Sequence, residues 1–218
     1  MPCVEGRIGE LPAAFDIDTG SRSELDITSP TVARYGLRAR FPHGAEAVTG
    51  WGVGGPSRSY VVRLPSITLG TQQVAPLIAG LSLDRGGSFS DPNYQGNIGS
   101  ALLQRFVVTF DYEHQSMYLA RIEPAPQDIA DFDRSGLWIN AARGGYEVKY
   151  VTAHSAAAEC GIMPGDLIVQ LDGRTAAADA LSDARRLLRT RAAGSVVPLI
   201  VQRGGAERHV TLVLRDQI

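Results

Sequence analysis

The run Phe15-Asp16-Ile17-Asp18-Thr19-Gly20-Ser21 constrains this chain most. A short β segment runs straight into an acid, a hydroxyl residue and a glycine. Gly20 permits a tight turn and close backbone approach. Thr19 and Ser21 offer hydroxyls that brace the turn and the carboxylate. An acid presented in this way suits a site where two carboxyls share one proton: one stays protonated while the other activates water. One such run supplies one acid, so that chemistry needs a second from elsewhere. Asp16 precedes the turn and cannot be the partner.

The surroundings are β-rich. Residues 1–122 read as short strands punctuated by glycine and proline, with candidates at Ala13–Ile17, Tyr60–Leu64, Ser66–Leu69 and Phe106–Phe110. Tyr112–Leu119 reads as a closing hairpin around Glu113-His114-Gln115. Only Pro30–Tyr35 and Ser100–Gln104 suggest helix, with Ser100 as a candidate cap. Pro124 and Pro126 mark a linker over residues 123–131. The second block, residues 132–218, mixes strands with two helices. One is Ser155–Cys160, closed by Gly161. The other is Asp179–Arg191, with Leu181, Ala184, Leu187 and Leu188 on one side. Val196–Gln202 and His209–Leu214 alternate as a hairpin around Gly204-Gly205.

Composition removes several function classes. Hydrophobic residues are 44% and charged ones 20% of 218, an ordinary globular balance. A formal charge of −2 leaves no basic footprint for nucleic acid. No stretch is long and apolar enough to span a bilayer, and no signal peptide opens the chain. Cys3 and Cys160 suit no disulfide framework and read as free thiols, Cys160 as a small buried filler. His43, His114, His154 and His209 are scattered, so no metal site and no cofactor is expected. There is no Gly-x-Ser-x-Gly elbow, and Lys149 is the sole lysine available to a Ser-Lys dyad. Asp16-x-Asp18 superficially mimics the Asp-x-Asp-Gly-Thr phosphatase signature, but glycine and threonine stand in the opposite order.

The first block resembles the aspartic proteases, whose lobes carry two hydrophobic residues before Asp-Thr-Gly. Asp16 departs from that pattern. A later hydrophobic-hydrophobic-Gly segment crosses behind the catalytic loop in that family, and Gly96-Asn97-Ile98-Gly99-Ser100 stands where it is expected. The run Arg105–Tyr112 looks like the closing strands of a bacterial single-lobe family, and Gly50–Gly55 like its flap. The resemblance implies that Asp18 is catalytic, with Thr19, Gly20 and Ser21 as braces and Ile98 and Gly99 as support. It implies a second lobe as partner, either a missing N-terminal lobe or a second copy, with the missing lobe favoured. It also implies polypeptide substrates and a bacterial periplasm or cell envelope.

The second block carries Ser155–Gly161, Pro164-Gly165-Asp166 and Asp172-Gly173, which resembles the PDZ signature in the bacterial permuted order. Gly161 closes a helix, and the other glycines make turns. The resemblance implies a peptide groove: Ser135, Gly136, Leu137, Trp138 and Ile139 form the loop and edge strand, and Leu181, Ala184 and Leu188 the helix wall. Gly136 and Leu137 would hold the carboxylate of a protein C-terminus. The expected fold is mainly β, an acid-protease-like β-barrel lobe followed by an α+β PDZ-like domain. The expected function is aspartic-type peptide-bond hydrolysis with a PDZ domain recruiting substrates. The alternative is a scaffold that grips peptides without cleaving them.

Overall fold

In Leu11–Asp18 every second residue is apolar, and Ala13, Phe15 and Ile17 are buried while their neighbours are not. That alternation makes the segment a strand with one face on a core. The computed structural model describes residues 2–52, 54–126 and 130–218. The chain divides into two compact units, one from residues 1–45 and 49–130, the other from residues 46–48 and 131–218. Residues 127–129, within the expected linker, and Val53, within the expected flap, lie outside the described residues.

The first unit runs β1 (Cys3–Ile8), β2 (Leu11–Asp18), β3 (Leu25–Ile27), α1 (Ser29–Tyr35), α2 (Leu37–Arg40), β4 (Ala45–Gly52), β5 (Gly55–Leu64), β6 (Ile67–Leu69), β7 (Gln72–Val74), β8 (Leu77–Ser82), β9 (Gly96–Gly99), α3 (Ser100–Leu103), β10 (Phe106–Asp111) and β11 (Ser116–Arg121). Nine strands form one sheet in the order β4-β5-β8-β3-β9-β2-β1-β6-β7, and β10 pairs with β11. The closing hairpin therefore uses β10 as its first arm, with the turn at residues 112–115.

The decisive feature is the insertion of β9 between β2 and β3. It runs parallel to β2, with Ile17 beside Ile98 and Asp18 beside Gly99, and antiparallel to β3, with Leu25 beside Ile98. The strands that enter and leave the Asp18 turn are thus held apart by a third strand. Phe15, Leu25, Ile27, Ile98 and Leu102 are fully buried beneath them. Each such side chain contributes about 1.5–3 kcal/mol, so this part of the sheet is firmly anchored.

The second unit runs β12 (Leu137–Ala142), β13 (Gly145–Val151), α4 (Ala156–Glu159), β14 (Leu167–Leu171), β15 (Arg174–Thr175), α5 (Leu181–Thr190), β16 (Val196–Arg203) and β17 (Ala206–Val213). The order β12-β13-β14-β16-β17 leaves β12 at an edge. Ser155 caps α4 by accepting the Ala158 N–H at 3.2 Å, and Gly161 leaves it at φ +71°. The expected longer helix is shorter by two residues at its start, where Ala178–Ala180 forms a 3₁₀ turn, and by one at its end. Gly204 and Gly205, both at positive φ, close the β16–β17 hairpin. Asp166 is buried because Arg203 grips it with two bonds of 2.6 and 2.7 Å. Burial pushes its carboxyl up, but those bonds and the Met163 N–H hold it below the usual range.

Candidate functional site

Asp18 ends β2 and is partly exposed, and Thr19 and Gly20 are exposed at the turn. The Gly20 N–H donates to Asp18 Oδ1 at 2.9 Å and the Ser21 N–H donates to the same oxygen at 3.2 Å. The carboxylate is thus oriented by its own loop while remaining accessible. The loop is fastened from behind: Ser100 donates its N–H and its hydroxyl to the Ser21 carbonyl, at 2.8 and 2.6 Å. Gly99 makes this possible. A Cβ there would lie 2.2 Å from the Ser23 carbonyl oxygen and 3.0 Å from that of Ser21.

The structure therefore brings Asp18, Gly20, Ser21, Ile98 and Gly99 into one place, and corrects two details. Thr19 is not a brace: the bracing hydroxyls are those of Ser21, Ser23 and Ser100. Ser100 is not a cap: Gly99 holds the cap position of α3, and the Ser100 hydroxyl is spent on the Asp18 loop. Sequence reading missed Ser23, whose place in a polar stretch carried no signal.

Beneath the loop lies an acid that sequence reading also missed. Ser21 Oγ bonds Ser23 Oγ at 2.8 Å, and Ser23 Oγ donates to Asp26 Oδ2 at 2.5 Å. Asp26 is buried in β3, opposite Asn97 of β9 and Gly80 of β8. Burial pushes its carboxyl up to about 6, with the Asp84 and Asp18 charges adding to the rise and the Ser23 bond opposing it. An acid raised in the folded state stabilises fully below its ordinary value of 3.8, and that contribution is lost as pH rises through about 6. Asp26→Asn should therefore unfold about 2–3 kcal/mol harder than wild type at pH 7.5 and equally at pH 3.5 in urea melts. An advantage of the same size at both pH values would contradict this.

In the second unit the expected groove differs from its sequence reading. The Ser135 and Gly136 N–H groups donate to Asp133 Oδ1 at 2.9 and 2.6 Å, and the Leu137 N–H donates to Ser135 Oγ at 3.0 Å. The loop that was to hold a ligand carboxylate already holds one of its own. Burial pushes the Asp133 carboxyl up to about 6 against these bonds. Ala184 and Leu188 are 7% and 1% exposed within the unit's core, so they are core residues rather than an open wall. Leu181 is partly buried against the same core. Trp138 and Ile139 lie on the edge strand, and Arg185 of α5 donates to the Ile139 carbonyl at 2.6 Å. Both cysteines are free, Cys3 exposed and Cys160 only partly buried, packing on the core and donating to the Thr211 carbonyl at 3.2 Å. Among the described residues no helix is long and apolar enough to cross a membrane.

Residues 147–203 match the family model described as PDZ domain. No curated protein matches the chain. Among solved structures it is similar to the HtrA3 PDZ domain bound to a phage-derived ligand, at 22% identity and TM-score 0.33, covering 39% of this chain and 85% of that one. It is similar to a retropepsin-like aspartic protease from Rickettsia conorii, at 17% identity and TM-score 0.36, covering 50% and 75%. It is also similar to the retroviral protease-like domain of Ddi1 from Leishmania major, at 17% identity and TM-score 0.34, covering 56% and 91%. The second unit thus carries a match to the PDZ domain over residues 147–203.

Proposed function

We propose that the chain is one half of an aspartic-type endopeptidase in which Asp18 supplies one of two carboxylates and a second lobe supplies the other. The observation that carries this reading is the Asp18 turn itself. Its carboxylate is oriented by two N–H donors, left accessible, and fixed to the core through Gly99 and Ser100. A water held between this oxygen pair and a facing acid would be deprotonated by one carboxylate while the other stays protonated. The proton then passes to the leaving amine as the tetrahedral intermediate collapses. The PDZ domain would bind polypeptide segments. The bacterial periplasm or cell envelope is the proposed compartment, on the family resemblance alone.

Cleavage of an unfolded polypeptide by the assembly that contains both acids tests the reaction class. A statine-type inhibitor, whose hydroxyl sits between two carboxylates, should stop cleavage, while a serine-directed fluorophosphonate and a metal chelator should leave it unchanged. Inhibition by the fluorophosphonate or the chelator would overturn the assignment.

A further inference from the structure

In the loop ahead of β12 the Ser135, Gly136 and Leu137 N–H groups and the Ser135 hydroxyl all find acceptors within the loop itself. Ser135 is fully buried; its hydroxyl donates to Asp133 Oδ1 at 2.7 Å and accepts the Leu137 N–H at 3.0 Å. With the Ser135 and Gly136 N–H groups also on Asp133 Oδ1, two successive backbone donors and one hydroxyl converge on a single side-chain oxygen, while the third backbone donor, the Leu137 N–H, ends on Ser135 Oγ. The arrangement is locked on every side. Gly136 sits at φ +77°, and a Cβ there would lie 2.1 Å from Ser155 Cβ. The Gly136 carbonyl accepts the Thr152 N–H at 2.8 Å, and the Ser135 carbonyl accepts the Ala157 N–H at 3.0 Å. The neighbouring Arg134 is engaged with Asp216 at 2.7 Å and with the Arg189 carbonyl.

We propose that Asp133 is a built-in substitute for a ligand's terminal carboxylate, so that the edge of β12 takes internal extended segments of polypeptide rather than free C-termini. A free carboxylate arriving at this loop finds the Ser135, Gly136 and Leu137 N–H groups already paired and a like charge already in place. The edge of β12 lies beside the loop, and there the Arg185 guanidinium donates to the Ile139 carbonyl at 2.6 and 3.2 Å and to Asn140 Oδ1 at 2.9 Å. Arg185 occupies the place of a strand's N–H donor, and an entering segment exchanges that bond for its own backbone bond. Pairing along the strand then supplies the affinity, which needs no chain end. The inference deepens the peptide-binding part of the proposed function and is independent of Asp18.

The test uses the full chain and a pooled set of decapeptides with apolar ends, each made as free acid and as amide. Wild type should bind acid and amide within twofold of each other. Asp133→Ala, which frees the loop donors, should favour the acid by tenfold or more, with Asp133→Asn between them. Hydrogen exchange gives a ligand-free readout: the Gly136 amide should be protected in wild type and exchange at least tenfold faster in Asp133→Ala, with thermal unfolding of both variants confirming that they fold. Wild-type preference for the acid by tenfold, or an unprotected Gly136 amide, would overturn the inference while leaving peptide binding intact. Binding of neither peptide form by either protein would overturn the groove reading and the inference with it. A preference for the acid that appears only in Asp133→Ala would support the substitution by Asp133.

Discussion

Arg105→Leu should lower the unfolding free energy by about 3–5 kcal/mol, read as a shift of the urea midpoint at constant slope. Arg105 and Glu24 are 5% and 8% exposed, so the pair is removed from water. The Arg105 Nη2 group bonds Glu24 Oε1 and Nη1 donates to the Pro76 carbonyl at 2.8 Å. Glu24 Oε2 accepts the Ile78 N–H at 2.5 Å, and Oε1 accepts the Ala130 N–H at 3.1 Å. Removing the cation strands a buried carboxylate that cannot relax into solvent, which is why truncating one partner costs more than the pair itself contributes. Glu24 also places the site, because its carbonyl accepts the Gly99 N–H at 3.2 Å three residues after Ser21. A second change, Glu24→Met, should recover part of the loss but not all, since the Ile78 and Ala130 N–H groups then lose their acceptor. A loss below 1 kcal/mol in Arg105→Leu would contradict the pair's role.

The fold was largely legible because its signals are local. Alternation in Leu11–Asp18, the β-branched runs of β5 and β10, and the paired glycines of the last hairpin each decide structure within a few residues. The short strands β1, β3 and β7 were not legible, since three to six residues that are mostly polar or broken by a charge or a glycine give no period. Among candidate site residues, the placing of Asp18 at a strand end beside Gly99 was legible in the sequence. That of Asp26 was not: an acid between Leu25 and Ile27 reads as solvent-facing, and only the insertion of β9 beside it, opposite Asn97, buries it. Asp133 stands two residues before Ser135 in the groove loop, but nothing in the sequence marks its role. That role depends on a loop folding back so that donors two and three residues on meet its side chain. Ala184 and Leu188 look the same in sequence whether they wall a groove or fill a core, and packing decided for the core.

The second large effect concerns Asp18 itself. Asp18→Asn keeps the volume of the side chain and an oxygen that can accept the Gly20 and Ser21 N–H bonds, so the turn and its fastening to Ser100 should survive. What it removes is the charge that takes a proton from water in the proposed reaction. Loss of such a group typically costs about 10⁴-fold or more in turnover. Both the retained fold and the lost chemistry are needed to separate a catalytic acid from a structural one.

Cleavage of an unfolded polypeptide by the two-acid assembly, with Asp18→Asn as the only change, therefore bears most directly on the account. Turnover should fall by about 10⁴-fold while thermal unfolding and decapeptide binding stay at wild-type values. Cleavage that continues at the wild-type rate in a folded Asp18→Asn protein would contradict it, leaving a lobe that grips polypeptide without hydrolysing it.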